Sequence, residues 1–305
     1  MREPGQPSLD QLRVFIAVID AGGFARAARA LHRTQSVISY TIANLEQQLN
    51  VALLERGQRQ PRLTEAGKAL LADARAVTLK VDGMRARAQA LAGGMEAEVS
   101  LAVDVMFPTS VLVEILEAFQ LEFPTVALRL RIEALGVVVQ MVMERVCHIG
   151  LSGWMIFTPP VIERHAMGYV TMLSVAAPGH PLAQMRGTIP TAVAREHTQL
   201  VLTDRSELTA GQDFGVLALR DWRLGDLGSK HALLRAGLGW GNMPEAMIRE
   251  DLANGRLVPL ALGDGGMIKY PVHVISRGDE HPGPAGKWLL RQFAQQLPLL
   301  LERGF

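Results

Sequence analysis

The chain has 305 residues with 31 Lys and Arg against 30 Asp and Glu, a length that predicts two or three domains. Its single cysteine, Cys147, excludes an internal disulfide framework and fits a reducing cytoplasm. The opening MREPGQPSLDQL lacks an apolar run of signal-peptide length and no 18-residue apolar stretch follows, so neither secretion nor membrane spanning is expected.

In chain order, Leu12, Phe15, Ile16 and Ile19 recur at helical spacing and predict a first helix, stopped by Gly22-Gly23. Phe24, Ala27, Ala28 and Leu31 mark the buried face of a second helix, whose alanines let another helix cross closely. A tight turn at His32-Arg33-Thr34 leads into a third helix, Gln35 to Leu49, with Ile38, Ile42, Leu45 and Leu49 inward. That leaves Gln35, Ser36, Ser39 and Tyr40 on a polar face at its N-terminal end, the end that a recognition helix pushes into the major groove. A short hairpin follows and returns into Leu63-Thr64-Glu65-Ala66-Gly67. Charge agrees with this reading: residues 1–92 hold 13 basic against 8 acidic side chains, and the remainder 18 against 22. The basic half is the nucleic-acid half, but its excess is modest, so useful affinity requires several subunits on one duplex.

Leu70, Ala74, Val77, Val81, Met84, Ala88 and Leu91 alternate spacings of four and three, the seam of a coiled coil. Ala92-Gly93-Gly94 ends that helix. Beyond it strands and helices alternate: a strand at 99–103, a helix through Leu112 and Phe119 ending before Pro124, a strand at 126–132, an apolar helix at 137–146 and a strand at 149–151. A second unit runs from about Tyr169 through Val201, a helix near 230–236, the Gly237-to-Gly241 turn and a helix at 244–252. Val272–Ile275 and a terminal helix at 288–301 return to the first unit. Such alternation predicts an α/β fold with parallel strands.

FARAARALHRTQSVISYTIANLEQQL (24–49) and ALLERGQRQPRLTEAGKALL (52–71) closely resemble the winged helix-turn-helix of the LysR-type transcriptional regulators, and APGHPLA (177–183) and RAGLGWGNMP (235–244) resemble that family's effector domain more loosely. The resemblance implies an α-rich DNA-binding domain at 1–64, a dimerisation helix at 65–92, and an effector domain at 95–305. The last resembles periplasmic solute-binding proteins, with one subdomain of 95–165 and 270–305, another of 166–269, and a ligand cleft between. It implies double-stranded promoter DNA, a small-molecule effector, one or three further copies of the chain (homodimer or homotetramer) and RNA polymerase as partners, with no membrane and no cofactor. Base edges would meet Gln35, Ser36, Ser39 and Tyr40; phosphates or the minor groove would meet Arg33, Thr34, Arg56, Arg59 and Arg62. Tyr40 stands where the family commonly has arginine, which removes a guanine-reading fork.

In many relatives a Ser or Thr after the first effector-domain strand, and another opening the second helix, help hold a carboxylate; here Met106 and Leu135 fall at those places. Thr109, Ser110, Gly136 and Thr203 are the remaining candidates around the cleft. Either the pocket takes a more apolar ligand, or Met106 and Leu135 only pack. Cys147-His148 lacks the ligand count of a zinc site and reads as structural. Met141, Met143, Met155, Met167 and Met172 read as core filling in preference to oxidant sensing. No catalytic triad order, phosphate loop or metal spacing has supporting context, so no enzyme is expected. The alternatives are a constitutive DNA-binding architectural protein, and a solute-binding or enzymatic protein that leaves DNA alone.

Overall fold

The computed structural model describes residues 6–55, 61–155, 158–263 and 267–302, and its first helix, α1 (Leu9–Asp20), opens with a capping box. Ser8 Oγ accepts from the Gln11 amide at 3.3 Å while Gln11 Oε1 accepts from the Ser8 amide at 2.7 Å. Val14, Phe15 and Val18 face the core; Leu12, Ile16 and Ile19, expected at the centre of the stripe, lie half-buried at its edges. The left-handed backbone of His32 (φ 53°) turns the chain between α2 (Phe24–Ala30) and α3 (Gln35–Leu49). Ala27 and Ala28 are buried beside Ile38, Ile42 and Leu45, and Asn50 in the left-handed region ends α3.

Leu54 and Leu63 pair antiparallel at the base of the hairpin, and the Glu46 carboxylate on α3 accepts the amides of Leu53 (2.7 Å) and Leu54 (3.0 Å). Thr64 then accepts from the Gly67 amide at 2.9 Å and so caps α4 (Glu65–Ala92). The first half of α4 buries Leu71, Ala74 and Thr78 in this unit, and Arg75 bonds Asp20 on α1 at 2.5 Å. Of the expected seam, Leu70 and Ala74 therefore pack on their own chain, a correction to the reading that the whole seam serves a partner. Val77, Met84 and Leu91 stay 47%, 63% and 46% exposed.

The chain divides into two compact units, Met1–Ala90 and Leu91–Phe305. The second holds β1 (Glu98–Asp104), α5 (Thr109–Glu122), β2 (Ala127–Glu133), α6 (Gly136–Met143), β3 (Ile149–Ser152), β4 (Ile162–Ala176), α7 (Thr191–Ala194), β5 (Gln199–Leu202), β6 (Asp221–Leu224), α8 (Leu227–Arg235), β7 (Trp240–Pro244), α9 (Glu245–Ala253), β8 (Val258–Pro259), β9 (Met267–Arg277) and α10 (Pro284–Glu302). The strands form one sheet in the order β2-β1-β3-β9-β4-β7-β5-β6, with β8 on β4. β1, β2 and β3 run parallel, as do β5, β6 and β7, but β4 and β9 pair antiparallel with each other and with their neighbours. The expected parallel strands are present in each lobe, and the sheet as a whole is mixed because β4 and β9 are return strands that each run through both lobes. β4 starts at Ile162, ahead of the expected opening of the second unit near Tyr169. β2 is an edge strand, and its Leu130 and Ile132 are 41% and 49% exposed.

Candidate nucleic-acid interface and ligand cleft

Thr34 sets the start of α3: its Oγ1 accepts from the Val37 amide at 3.4 Å and lies 3.0 Å from Ser36 Oγ. Its hydroxyl is a cap first, which differs from a purely phosphate-facing role. Gln35, Ser36, Ser39 and Tyr40 are all exposed on the first turns of α3, Tyr40 at 73%. Arg33 makes two 2.8 Å bonds to Asp10, and that guanidinium holds the Asp10 carboxyl below its ordinary range. Its fork is therefore filled from within the chain. Arg62 is exposed at the wing base, its carbonyl accepting from the Glu55 amide at 2.8 Å. Arg56 and Arg59 lie outside the described residues.

In the second unit, a small cleft with about 70 Å³ of enclosed space opens between the lobes. Met106, Leu135, Met172, Leu202 and Ile268 form apolar walls; Trp154 contributes an aromatic face, its ring centroid 6.2 Å from Phe214 and 6.4 Å from Tyr270. Lys230 and Asn242 stand at one side. The cleft is braced by Asp104, which closes β1 and is buried: its carboxylate accepts the Met106 amide at 2.8 Å, the Leu135 amide at 3.1 Å and the Tyr270 hydroxyl at 2.8 Å. Burial pushes the Asp104 carboxyl up to about 6, against the pull of these donors. Gly153 makes room for Tyr270, since a Cβ there would stand 1.9 Å from the Tyr270 hydroxyl oxygen.

Leu135 holds φ 47° and ψ −120° at the start of α6, a backbone region that a branched side chain rarely enters. Two carboxylates hold it there: Asp104 takes the Leu135 amide, and Asp204 takes the Gly136 amide at 2.8 Å. Asp204 also accepts from the Ser206 amide and the Thr209 hydroxyl. The N-terminus of α6 is thus occupied by the chain's own carboxylate, so the Gly136 amide is not open to a ligand.

Of the six cleft candidates read from sequence, Met106 and Leu135 line the cleft together. Thr203 lines an adjoining cavity beside Asp204. Thr109 and Ser110 line a separate groove with Leu130 and Met247, a correction to their expected place in the cleft. They open α5, directly after Pro108 at its N-cap. Asp104, Trp154, Lys230, Asp204 and Tyr270 were not legible as site residues. For Lys230 a signal existed: it falls between Leu227 and Leu234 on the buried stripe of α8, where a lysine has no packing reason to be. Cys147 is buried while His148 is exposed, with its ring Nδ1 2.8 Å from Ser100 Oγ. Met167 and Met172 are buried and Met141, Met143 and Met155 half-buried in cores. Among the described residues no group of three His, Cys, Asp or Glu side chains could hold a metal ion, and no helix is long and apolar enough to cross a membrane.

Residues 9–68 match the family described as bacterial regulatory helix-turn-helix protein, lysR family, and residues 92–298 match the LysR substrate binding domain. The HTH-type transcriptional activator AllS of Klebsiella pneumoniae is 30% identical over 260 residues, covering 82% of this chain and 93% of that relative. The HTH-type transcriptional regulator PunR of Escherichia coli K12 is 30% identical over 260 residues, covering 82% of each. Among solved structures, the oxidized form of Corynebacterium glutamicum OxyR is similar with a TM-score of 0.51 at 19% identity, over 98% of this chain and 94% of that one. Full-length BenM is similar with a TM-score of 0.52 at 21% identity, over 98% and 97%. These two likenesses concern the fold.

Proposed function

The chain belongs to the LysR family of transcriptional regulators, a helix-turn-helix reader of DNA joined to an effector-binding domain, and on that premise we infer which residues read DNA and where the effector binds. Gln35, Ser36, Ser39 and Tyr40 meet base edges in the major groove, and Arg62 with Arg56 and Arg59 of the wing meets phosphates or the adjacent minor groove. The observation that carries this reading is the exposed polar start of α3, capped by Thr34, with α3 tied to the base of the wing through Glu46. Thr34 and Arg33 support that surface, Arg33 reaching a phosphate only by exchanging Asp10 for it.

The effector occupies the cleft walled by Met106, Leu135, Met172 and Ile268. The protein works in the cytoplasm as a homodimer or homotetramer and touches RNA polymerase when bound at a promoter. Its relatives are regulators rather than enzymes. One experiment tests the reading: fluorescence anisotropy of the purified protein on its own upstream DNA, with and without a metabolite library. Sequence-specific binding that shifts with a metabolite is the expected result. Binding without any response identifies a constitutive architectural protein, and binding of a metabolite without DNA identifies a solute-binding protein.

A further inference from the structure

We propose that Lys230 is the recognition residue for a singly charged carboxylate on the effector, whose apolar body fills the remainder of the cleft. The proposal rests on the reading of this cleft as the effector site. Lys230 is 3% exposed, on α8. An ammonium group carries three donors, and among the described residues only one is used, to the carbonyl of Asn242 at 2.7 Å. No carboxylate pairs with it among the described residues, and Asp104 and Asp204 are each already held by two or more donors of their own. A buried cation without a counter-ion is unfavourable and persists in a fold chiefly where something else supplies the anion.

The chain also keeps the space for it. A Cβ at Gly241 would stand 3.2 Å from Lys230 Cε and 2.6 Å from the Leu200 carbonyl, so glycine there lets the side chain cross β7 and reach the cavity. Burial pushes the ammonium down to about 8, which leaves it charged at neutral pH. The usual alternative for an anion, a helix N-terminus, is closed, because Asp204 holds the leading amide of α6. Anion recognition therefore falls to the opposite lobe. One compact cation in an apolar cavity suits one negative charge, and a dianionic phosphate would bring a second charge with nothing to meet it.

The test uses the full chain and matched probes: benzoate, phenylacetate and hexanoate, the amide of each, and phenyl phosphate, titrated by calorimetry to about 10 mM, near the weakest binding that calorimetry resolves. At least one acid should bind the wild-type protein about tenfold or more tightly than its amide, the margin that a charge-assisted bond supplies. Lys230→Met should erase that preference, and Lys230→Arg, which keeps the cation, should retain part of it. No preference for any acid, tighter binding of phenyl phosphate than of benzoate, or a preference that survives Lys230→Met overturns the proposal. The wild-type comparison needs no variant, and should Lys230→Met lose its circular dichroism, Lys230→Gln serves in its place. Operator binding by the wild-type protein is followed alongside. Its absence defeats the regulatory reading whatever the cleft prefers; a response to uncharged compounds alone defeats the role of Lys230 and leaves that reading standing.

Discussion

Asp104 ties three backbone segments into one cleft wall, and its titration makes that wall testable. Its carboxyl sits at about 6 in the folded chain, against 3.8 for the ordinary group. The folded state therefore binds a proton at higher pH than the unfolded state does, and this residue adds stability as pH falls from about 6 towards 3.8. That contribution is absent above 6; by linkage the full swing is about 3 kcal/mol. Asp104→Asn removes the titration, so urea unfolding at pH 7.5 and at pH 5 should show the wild type gaining on the variant at the lower pH. A difference that is flat or shrinks on acidification would contradict the burial of this carboxyl. At the same scale, Gln35→Ala should weaken specific operator binding far more than binding to random DNA. An amide that bridges two base-edge atoms supplies about 1–3 kcal/mol of discrimination, and equal losses on both DNAs would remove Gln35 from the reading surface.

The helix α4 changes employment along its length: Leu71, Ala74 and Thr78 serve the core of its own unit, while Val77, Met84 and Leu91 face outward. If a second copy covers this stripe, as the proposed dimer requires, aspartates at 77 and 81 would place charge in the seam and cost several kcal/mol unless neutralised. Val77→Asp with Val81→Asp should yield monomers in sedimentation and lose operator binding, with circular dichroism unchanged. A dimer that still binds operator would mean that this exposed stripe has no partner. Elements of this kind were legible because their periodicity is carried by the residues themselves, as in α3, where Ile38, Ile42 and Leu45 point inward as expected. What escaped notice depended on neighbours distant in sequence. The alternation of β2 gives Leu130 and Ile132 a common face, but nothing local says that the strand lies at an edge. Likewise the cleft residues Asp104 and Tyr270 are 166 positions apart, and only the fold brings them together.

At the scale of the whole molecule, the basic half carries 13 basic against 8 acidic side chains, and single arginines therefore weigh measurably in its salt response. Arg62→Ala should lower operator affinity and reduce the slope of log affinity against log salt by about one unit; an unchanged slope would show that the wing stays clear of the backbone. The separate cores of the two units also predict that residues 95–305 fold alone, as circular dichroism and cooperative urea unfolding of that fragment would report. Within that part the lobes share β4 and β9, paired from Ile162↔Arg277 to Leu173↔Met267 with one irregularity between Ala166 and Gly168. Two lobes joined by a pair of hydrogen-bonded strands do not swing like a door on a loose strap. The ribbon resists stretching and shearing, because either would break its ladder, and yields most readily to twisting about its own axis at the irregularity. Whatever fills the cleft thus acts on a torsion spring, and the signal available to the rest of the protein is a rotation of one lobe against the other.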